Sequence, residues 1–205
     1  VTTLLVIAKE PRPGRVKTRL TPPFTPEGAA ALAEAALRDT LHAVAAVPAE
    51  RRVLVLDGVP GPWLPDGFDV VPQSGGGLDE RLADAFAGCD GPALLVGMDT
   101  PQLSPALLTV DFADCDAWFG PALDGGFWAL GLADPDPALL RGVPMSTART
   151  GAVQRERLRA AGLRVRDLPT LRDVDTAADA AAVAALAPDS RFAACLARCT
   201  SQARG

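Results

Sequence analysis

TTLLVIAKEPRPGRVKTRLTP, residues 2–22, decides the fold. Its first seven residues form a nearly unbroken apolar run. That is the pattern of a short strand covered on both faces, not of one with a wet side. The run stops at Lys9, and Arg12, Arg15, Lys17 and Arg19 follow at once. Pro11, Pro13 and Gly14 stiffen and bend this cationic loop. Thr25-Pro26 then opens a helix, since threonine suits the N-cap and proline is tolerated at the first helical position.

The same alternation continues along the chain. EGAAALAEAALRDTLHAVAAV carries the first helix to Pro48, and RRVLVLD (51–57) and FDVVPQ (68–73) read as strands. SGGG (74–77) precedes the amphipathic helix LDERLADAFAG, and GPALLVGMD (91–99) is the clearest buried strand. Ser104-Pro105 caps a short helix. DAWFGPA (116–122) and GGFWALGL (125–132) form two strands around the turn LDGG, which predicts an antiparallel portion in the second half. Ser146 or Thr147 caps a helix reaching Ala161, LRVRDLP (163–169) is a last strand, and TLRDVDTAADAAAVAALA (170–187) turns into a helix. Strands separated by helices predict an α/β domain with a largely parallel sheet. No linker interrupts it, so residues 1–188 read as one domain, and 189–205 as a helical tail partly without structure.

Composition narrows the function. The 205-residue chain carries a net charge of −5, which argues against a broad nucleic-acid face and against docking on an anionic membrane. No apolar run is long enough for a transmembrane helix, and the first strand is too short for a signal peptide. Cys89, Cys115, Cys195 and Cys199 are scattered without a CxxC pair, which suits reduced thiols and a cytoplasmic setting. His42 is the single histidine and lies in an alanine-rich helix, so histidine triads and multi-histidine zinc sites are excluded.

Ligands of open α/β sheets bind at the carboxyl ends of the strands. The cationic loop, Gln73 with SGGG, and Asp99 all fall there. Asp99 is a hard oxygen ligand suited to Mg²⁺ or Mn²⁺ on phosphates, or it caps the turn Asp-Thr-Pro. Lys9, Arg15, Lys17 and Arg19 surround a polyphosphate, or form a solvated basic loop; GRVKTR is not a Walker loop. The three glycines free backbone amides at a helix start, and Gln73 carries the donor and acceptor that read a base edge. Asp124 faces an acceptor or metal, or belongs to an ordinary hairpin turn. Asp173 and Asp175 begin the last helix, where Asp175 is its cap or a second metal ligand near Asp99.

Taken in order, AKEPRPGRVKTRL, QSGGGLDERL, VGMDTPQLSP, GPALDGGFWALGL and DVDTAAD resemble the small bacterial GT-A-like transferases over roughly residues 3–180. That family is labelled glycosyltransferase or nucleotide-diphospho-sugar transferase, and is related to molybdenum-cofactor and lactyl-phospholactate-type nucleotidyltransferases. The resemblance implies a Rossmann-like GT-A fold that binds a nucleotide with a divalent metal. It implies that Ala8, Lys9 and Gly14 wrap the nucleotide, that Lys17 and Arg19 meet phosphates, and that Gln73 and Gly76 sit near the base. It further implies Asp99 and Asp175 as ligands of Mg²⁺ or Mn²⁺, with Asp124 facing the acceptor. Lys17, Asp99 and Asp124 are then the catalytic candidates.

Three activities remain open at this stage. In the first, a phosphorylated acceptor attacks a nucleoside triphosphate and pyrophosphate leaves. In the second, a nucleotide sugar gives its sugar to a small acceptor. In the third, the chain binds a nucleotide without turnover. The expected partners are a nucleoside triphosphate or nucleotide sugar and a small-molecule acceptor, with no nucleic acid and no membrane.

Overall fold

The computed structural model describes residues 2–202. Seven strands form one sheet: β1 (Thr3–Lys9), β2 (Arg52–Asp57), β3 (Asp69–Pro72), β4 (Ala93–Val96), β5 (Ala117–Pro121), β6 (Phe127–Leu132) and β7 (Val165–Asp167). Their order is β3-β2-β1-β4-β6-β5-β7. Only β6 opposes its neighbours, pairing antiparallel with both β4 and β5. This is the α/β architecture with a largely parallel sheet that the sequence predicts. The LDGG hairpin supplies the reversal: β6 returns from β5 and inserts beside β4.

Side-chain alternation shows why both faces are dry. On β1, Leu4, Val6 and Ala8 enter one core, while Leu5 and Ile7 face another. The first core is closed by α1 (Pro26–Ala45) through Ala33, Leu37 and Leu41, and the second by α2 (Leu78–Ala87) through Leu82 and Phe86. Leu158 of α4 (Thr150–Ala160) joins the second core. Two short elements, a 3-10 turn at Thr18–Leu20 and α3 (Pro105–Leu108), follow β1 and β4.

The outer side of α1 is also buried. α5 (Ala177–Leu186) and α6 (Arg191–Gln202) pack on it through Val183, Phe192 and Cys195, against Leu32 and Ala36. Asp39 of α1 accepts hydrogen bonds from the first amides of α6, Phe192 N at 2.9 Å among them. The stretch 189–205, expected as a helical tail partly without structure, is a docked helix over Arg191–Gln202; residues 203–205 lie outside the described residues. Among the described residues no helix is long and apolar enough to cross a membrane.

Several boundaries differ from the sequence expectation, for local reasons. The first helix begins as expected, with the Thr25 hydroxyl accepting from Gly28 N at 3.1 Å, but it ends at Ala45. α4 begins at Thr150; Ser146 instead adopts a left-handed backbone (φ 58). The helix expected within 170–187 begins only at Ala177, because Thr176 and Asp179 cap it reciprocally. Asp175 is therefore not the cap, and residues 172–175 run as an extended loop.

Candidate active site

The chain order places β1 and β4 side by side, with β2 and β3 departing to one side of β1 and β6 and β5 lying beyond β4. The carboxyl ends of β1 and β4 flank the point where the sheet changes winding direction, which is where such sheets bind ligands. A cleft of about 560 Å³ opens there. A second recess of about 310 Å³ adjoins it and shares Lys9, Arg19, Asp99 and Asp175.

Asp99 sits at the centre. β4 ends at Val96, and Gly97, Met98 and Asp99 leave the sheet. The Asp99 carbonyl accepts from Val174 N at 2.9 Å, which pins the 172–175 loop to the strand end. Val174 is buried, so Asp173 and Asp175, on either side of it, both turn toward the cleft and line it. Two further bonds secure this loop. Gln102 Nε2 donates to the Arg172 carbonyl at 2.8 Å, and Lys17 Nζ donates to the Val174 carbonyl.

Lys17 is the bridge between the walls. Its ammonium lies 2.7 Å from Asp99 Oδ1, and its side chain is only 8% exposed. It achieves this from a left-handed backbone (φ 51), a conformation costly for a side-chain-bearing residue and typical of functional positions. Val16 and Leu20, both buried, anchor the loop on either side. With two donors committed, Lys17 has one left for a ligand. The side chains free to meet an anion are Lys9, Arg15 and Arg19, all exposed. Arg19 also holds Asp175, Nη1 to Oδ2 at 2.8 Å.

The other residues expected at the site fare unevenly. Ala8, Lys9, Arg19, Gln73, Asp99, Asp124 and Asp175 line the cleft, and Lys17 lines the adjoining recess. Gly14 and Gly76 line neither. Gln73 turns its amide nitrogen to the Ala8 carbonyl at 2.7 Å and its oxygen toward Arg81, so it ties β3 to β1 and offers little free edge to a base. The α2 start is not an open anion site either, because Glu80 Oε2 accepts from Gly77 N at 2.9 Å and Asp79 from Gly142 N at 2.8 Å. Asp124 is exposed on the LDGG turn, where its Oδ1 accepts from Gly126 N at 2.8 Å.

Three contributors escaped the sequence. Asp173 carried no separate role there. Burial first, then the Asp99 and Asp124 carboxylates, push its carboxyl up to about 7, against the pull of Lys17. The alternation of the two aspartates about an apolar residue in DVD was the available signal. Thr100 is 1% exposed, lines the cleft, and its hydroxyl finds no partner among the described residues. The turn 145–148 closes the far wall, seated on LDGG by glycines: a Cβ on Gly125 would collide with the Ala148 carbonyl, and Gly151 N donates to the Gly125 carbonyl at 2.8 Å.

Residues 31–147 match the family model described as uncharacterized proteins conserved in bacteria (DUF2064). The chain belongs to that family. Among solved structures, this DUF2064 protein is similar to one from Desulfovibrio desulfuricans G20 described provisionally as a nucleotide-diphospho-sugar transferase. The two share 27% identity, 99% of this chain and 96% of the other are covered, and the TM-score is 0.87. The fold also matches CMP:2-keto-3-deoxy-manno-octonic acid synthetase complexed with CTP, at 12% identity and TM-score 0.56 over 92% and 99% of the two chains. It further matches Rv0371C of Mycobacterium tuberculosis H37Rv in complex with manganese, at 22% identity and TM-score 0.50 over 89% and 96%. No curated protein matches the chain by sequence.

Proposed function

We propose that this DUF2064 protein is a divalent-cation-dependent transferase that holds a nucleotide donor in the cleft at the β1–β4 edge. One observation carries the reading: Lys17 and Asp99 touch at the point where the sheet changes winding, between exposed cations on one side and clustered carboxylates on the other. The donor phosphates lie along Lys9, Arg15 and Arg19, with the last Lys17 donor completing their cradle. The nucleotide-bound and manganese-bound neighbours are compatible with this use of the fold, and the Desulfovibrio protein agrees in provisional description.

The residues fit a hard cation. Asp99, Asp124, Asp173 and Asp175 bring four carboxylates to one cleft. Among the described residues no three acidic, histidine or cysteine groups stand close enough to hold an ion by themselves. Asp99 with Asp173 or Asp175 would hold Mg²⁺ or Mn²⁺ together with phosphate oxygens and water, as such ions are commonly held. Bound there, the ion would neutralise charge on the departing phosphate. Arg15 and Arg19 orient the phosphate chain, and Lys17 holds Asp99 in position. Buried Val174 fixes the carboxylates on both sides of it. Positioning and electrostatics then supply most of the rate.

The test is product analysis of the purified chain with Mg²⁺ or Mn²⁺ and a panel of nucleoside triphosphates and nucleotide sugars. Pyrophosphate release identifies nucleotidyl transfer, and nucleoside diphosphate release identifies glycosyl transfer. Nucleotide binding with no product from any acceptor would instead make it a binding protein.

A further inference from the structure

The donor half of the cleft is rich in cations; the other half is not. Every basic residue that lines the cleft, Lys9, Arg19 and Arg81, precedes β4 in the chain. From β4 onward the charged lining residues are all aspartates: Asp99, Asp124, Asp173 and Asp175. The remaining surface there is hydroxyl and apolar, with Ser146 and Thr147 beside half-buried Phe127 and Met145.

The cations nearest in sequence do not change this balance. Arg172 pairs with Asp179 at 2.9 Å, and Arg149 is exposed without lining the cleft. The rim is apolar as well. Leu78 lines the cleft at 42% exposure, and Leu123, beside Asp124, is 58% exposed. A phosphate monoester brings close to two negative charges. Between the LDGG turn and the 145–148 turn it meets Asp124 and no lining basic residue, Asp99 and Asp175 being paired with Lys17 and Arg19, so it lacks the bidentate or point-charge partners that such groups require. A hydroxyl donor, by contrast, finds a carboxylate acceptor in Asp124 and the hydroxyls of Ser146 and Thr147, with the buried, unpartnered hydroxyl of Thr100 in the same cleft.

We propose that the acceptor bound between the LDGG turn and the 145–148 turn is an uncharged, hydroxyl-bearing small molecule with an apolar face, not a phosphorylated one. This rests on the donor reading above and adds to it the chemistry of the second substrate. The specificity is set by electrostatic exclusion as much as by contact, because Asp124 repels the phosphorylated form of the same molecule.

The experiment measures binding of matched pairs by saturation-transfer NMR. The probes are phenyl β-D-glucopyranoside and its 6-phosphate, and benzyl alcohol and benzyl phosphate. The full chain is first saturated with Mg²⁺ and the nucleotide that binds it most tightly, so that the cationic wall is occupied. The neutral member of a pair is expected to bind at least tenfold more tightly than its phosphate. Asp124→Lys should narrow that ratio at least fivefold. Equal or tighter binding of the phosphates to the native chain overturns the inference, as does binding of neither member, and loss of phosphate binding in Arg149→Ala would name the cation overlooked. If no nucleotide binds at all, the donor reading fails and takes this inference with it; if nucleotide binds but the expected preference is missing, only the acceptor class is wrong.

Discussion

The two walls of the cleft share one sheet edge and carry opposite charge. The wall from residues 9–19 presents Lys9, Arg15 and Arg19 on a loop anchored by buried Val16 and Leu20. The wall from residues 124–175 presents aspartates held by backbone hydrogen bonds, with Asp124 in its own turn and Asp173 and Asp175 about pinned Val174. Lys17 crosses between them to Asp99. The cationic wall is assembled locally, from one stretch of chain. The acidic wall exists only because three distant segments converge. Removing a group from the first should weaken ligand binding piecemeal, whereas disturbing the second should disturb the fold as well.

The largest effect is expected at the crossing point. Asp99→Ala should weaken cation-dependent nucleotide binding by about a thousandfold, since a bound metal contributes several kcal/mol. Titration calorimetry with and without Mg²⁺ checks this, and unchanged affinity would remove Asp99 from the metal assignment.

Gly125→Ala comes next and tests the acidic wall as structure. The residue has φ +91 and abuts the Ala148 carbonyl, so both left-handed strain and a backbone clash oppose a side chain. Together these should cost about 3 kcal/mol of unfolding free energy in urea. Nucleotide affinity should fall far less, because the cationic wall does not touch this turn.

The pH profile sharpens the comparison further. Asp173 keeps its proton in the folded chain to about pH 7, against an ordinary value of 3.8, facing Asp99, Asp124 and Asp175 with Lys17 as the opposing charge. The folded state therefore binds more protons than the unfolded state between those values. Stability of the metal-free chain should fall as pH rises through that window and level off above it. Asp116 and Asp179, lowered chiefly by Arg164 in one case and by bonds to Thr176 and Arg172 against burial in the other, work the opposite way at lower pH. Subtracting the melting profile of Asp173→Asn isolates the Asp173 slope; identical profiles would mean its carboxyl ionises normally.

Arg19→Ala should have the smallest effect. Its pair with Asp175 is exposed and worth less than about 1 kcal/mol, so the melting temperature should barely move. Triphosphate affinity should drop several-fold and nucleoside affinity not at all; equal losses would argue against a phosphate contact.

Much of this fold was legible because its strands are buried on both faces. TTLLVIA, RRVLVLD and ALLV have no polar side to confuse with a helix face, and Thr25-Pro26 states its own helix start. What misled was composition without context. The stretch 170–187 suggested a helix beginning at Asp173 and Asp175, yet buried Val174 is held by its bonds to Asp99 and Lys17, and the helix waits for the Thr176 cap. Gln73 suited a base edge by its chemistry, but two backbone carbonyls claim its amide nitrogen first. Asp173 looked like a helix-start residue because its burial and its neighbours come from segments far along the chain.

The sequence by itself determined the alternation of strands and helices, the cationic loop after the first strand, and Asp99 at a strand end. These are local properties, set by hydrophobic period, turn chemistry and the order of charges. Only the tertiary structure decided that β6 inserts antiparallel beside β4, that Lys17 is spent largely on Asp99 and Val174, and that from β4 onward the charged residues lining the cleft are all aspartates. Those depend on which segments meet across the sheet edge, and a charge acquires its role from what it faces in space.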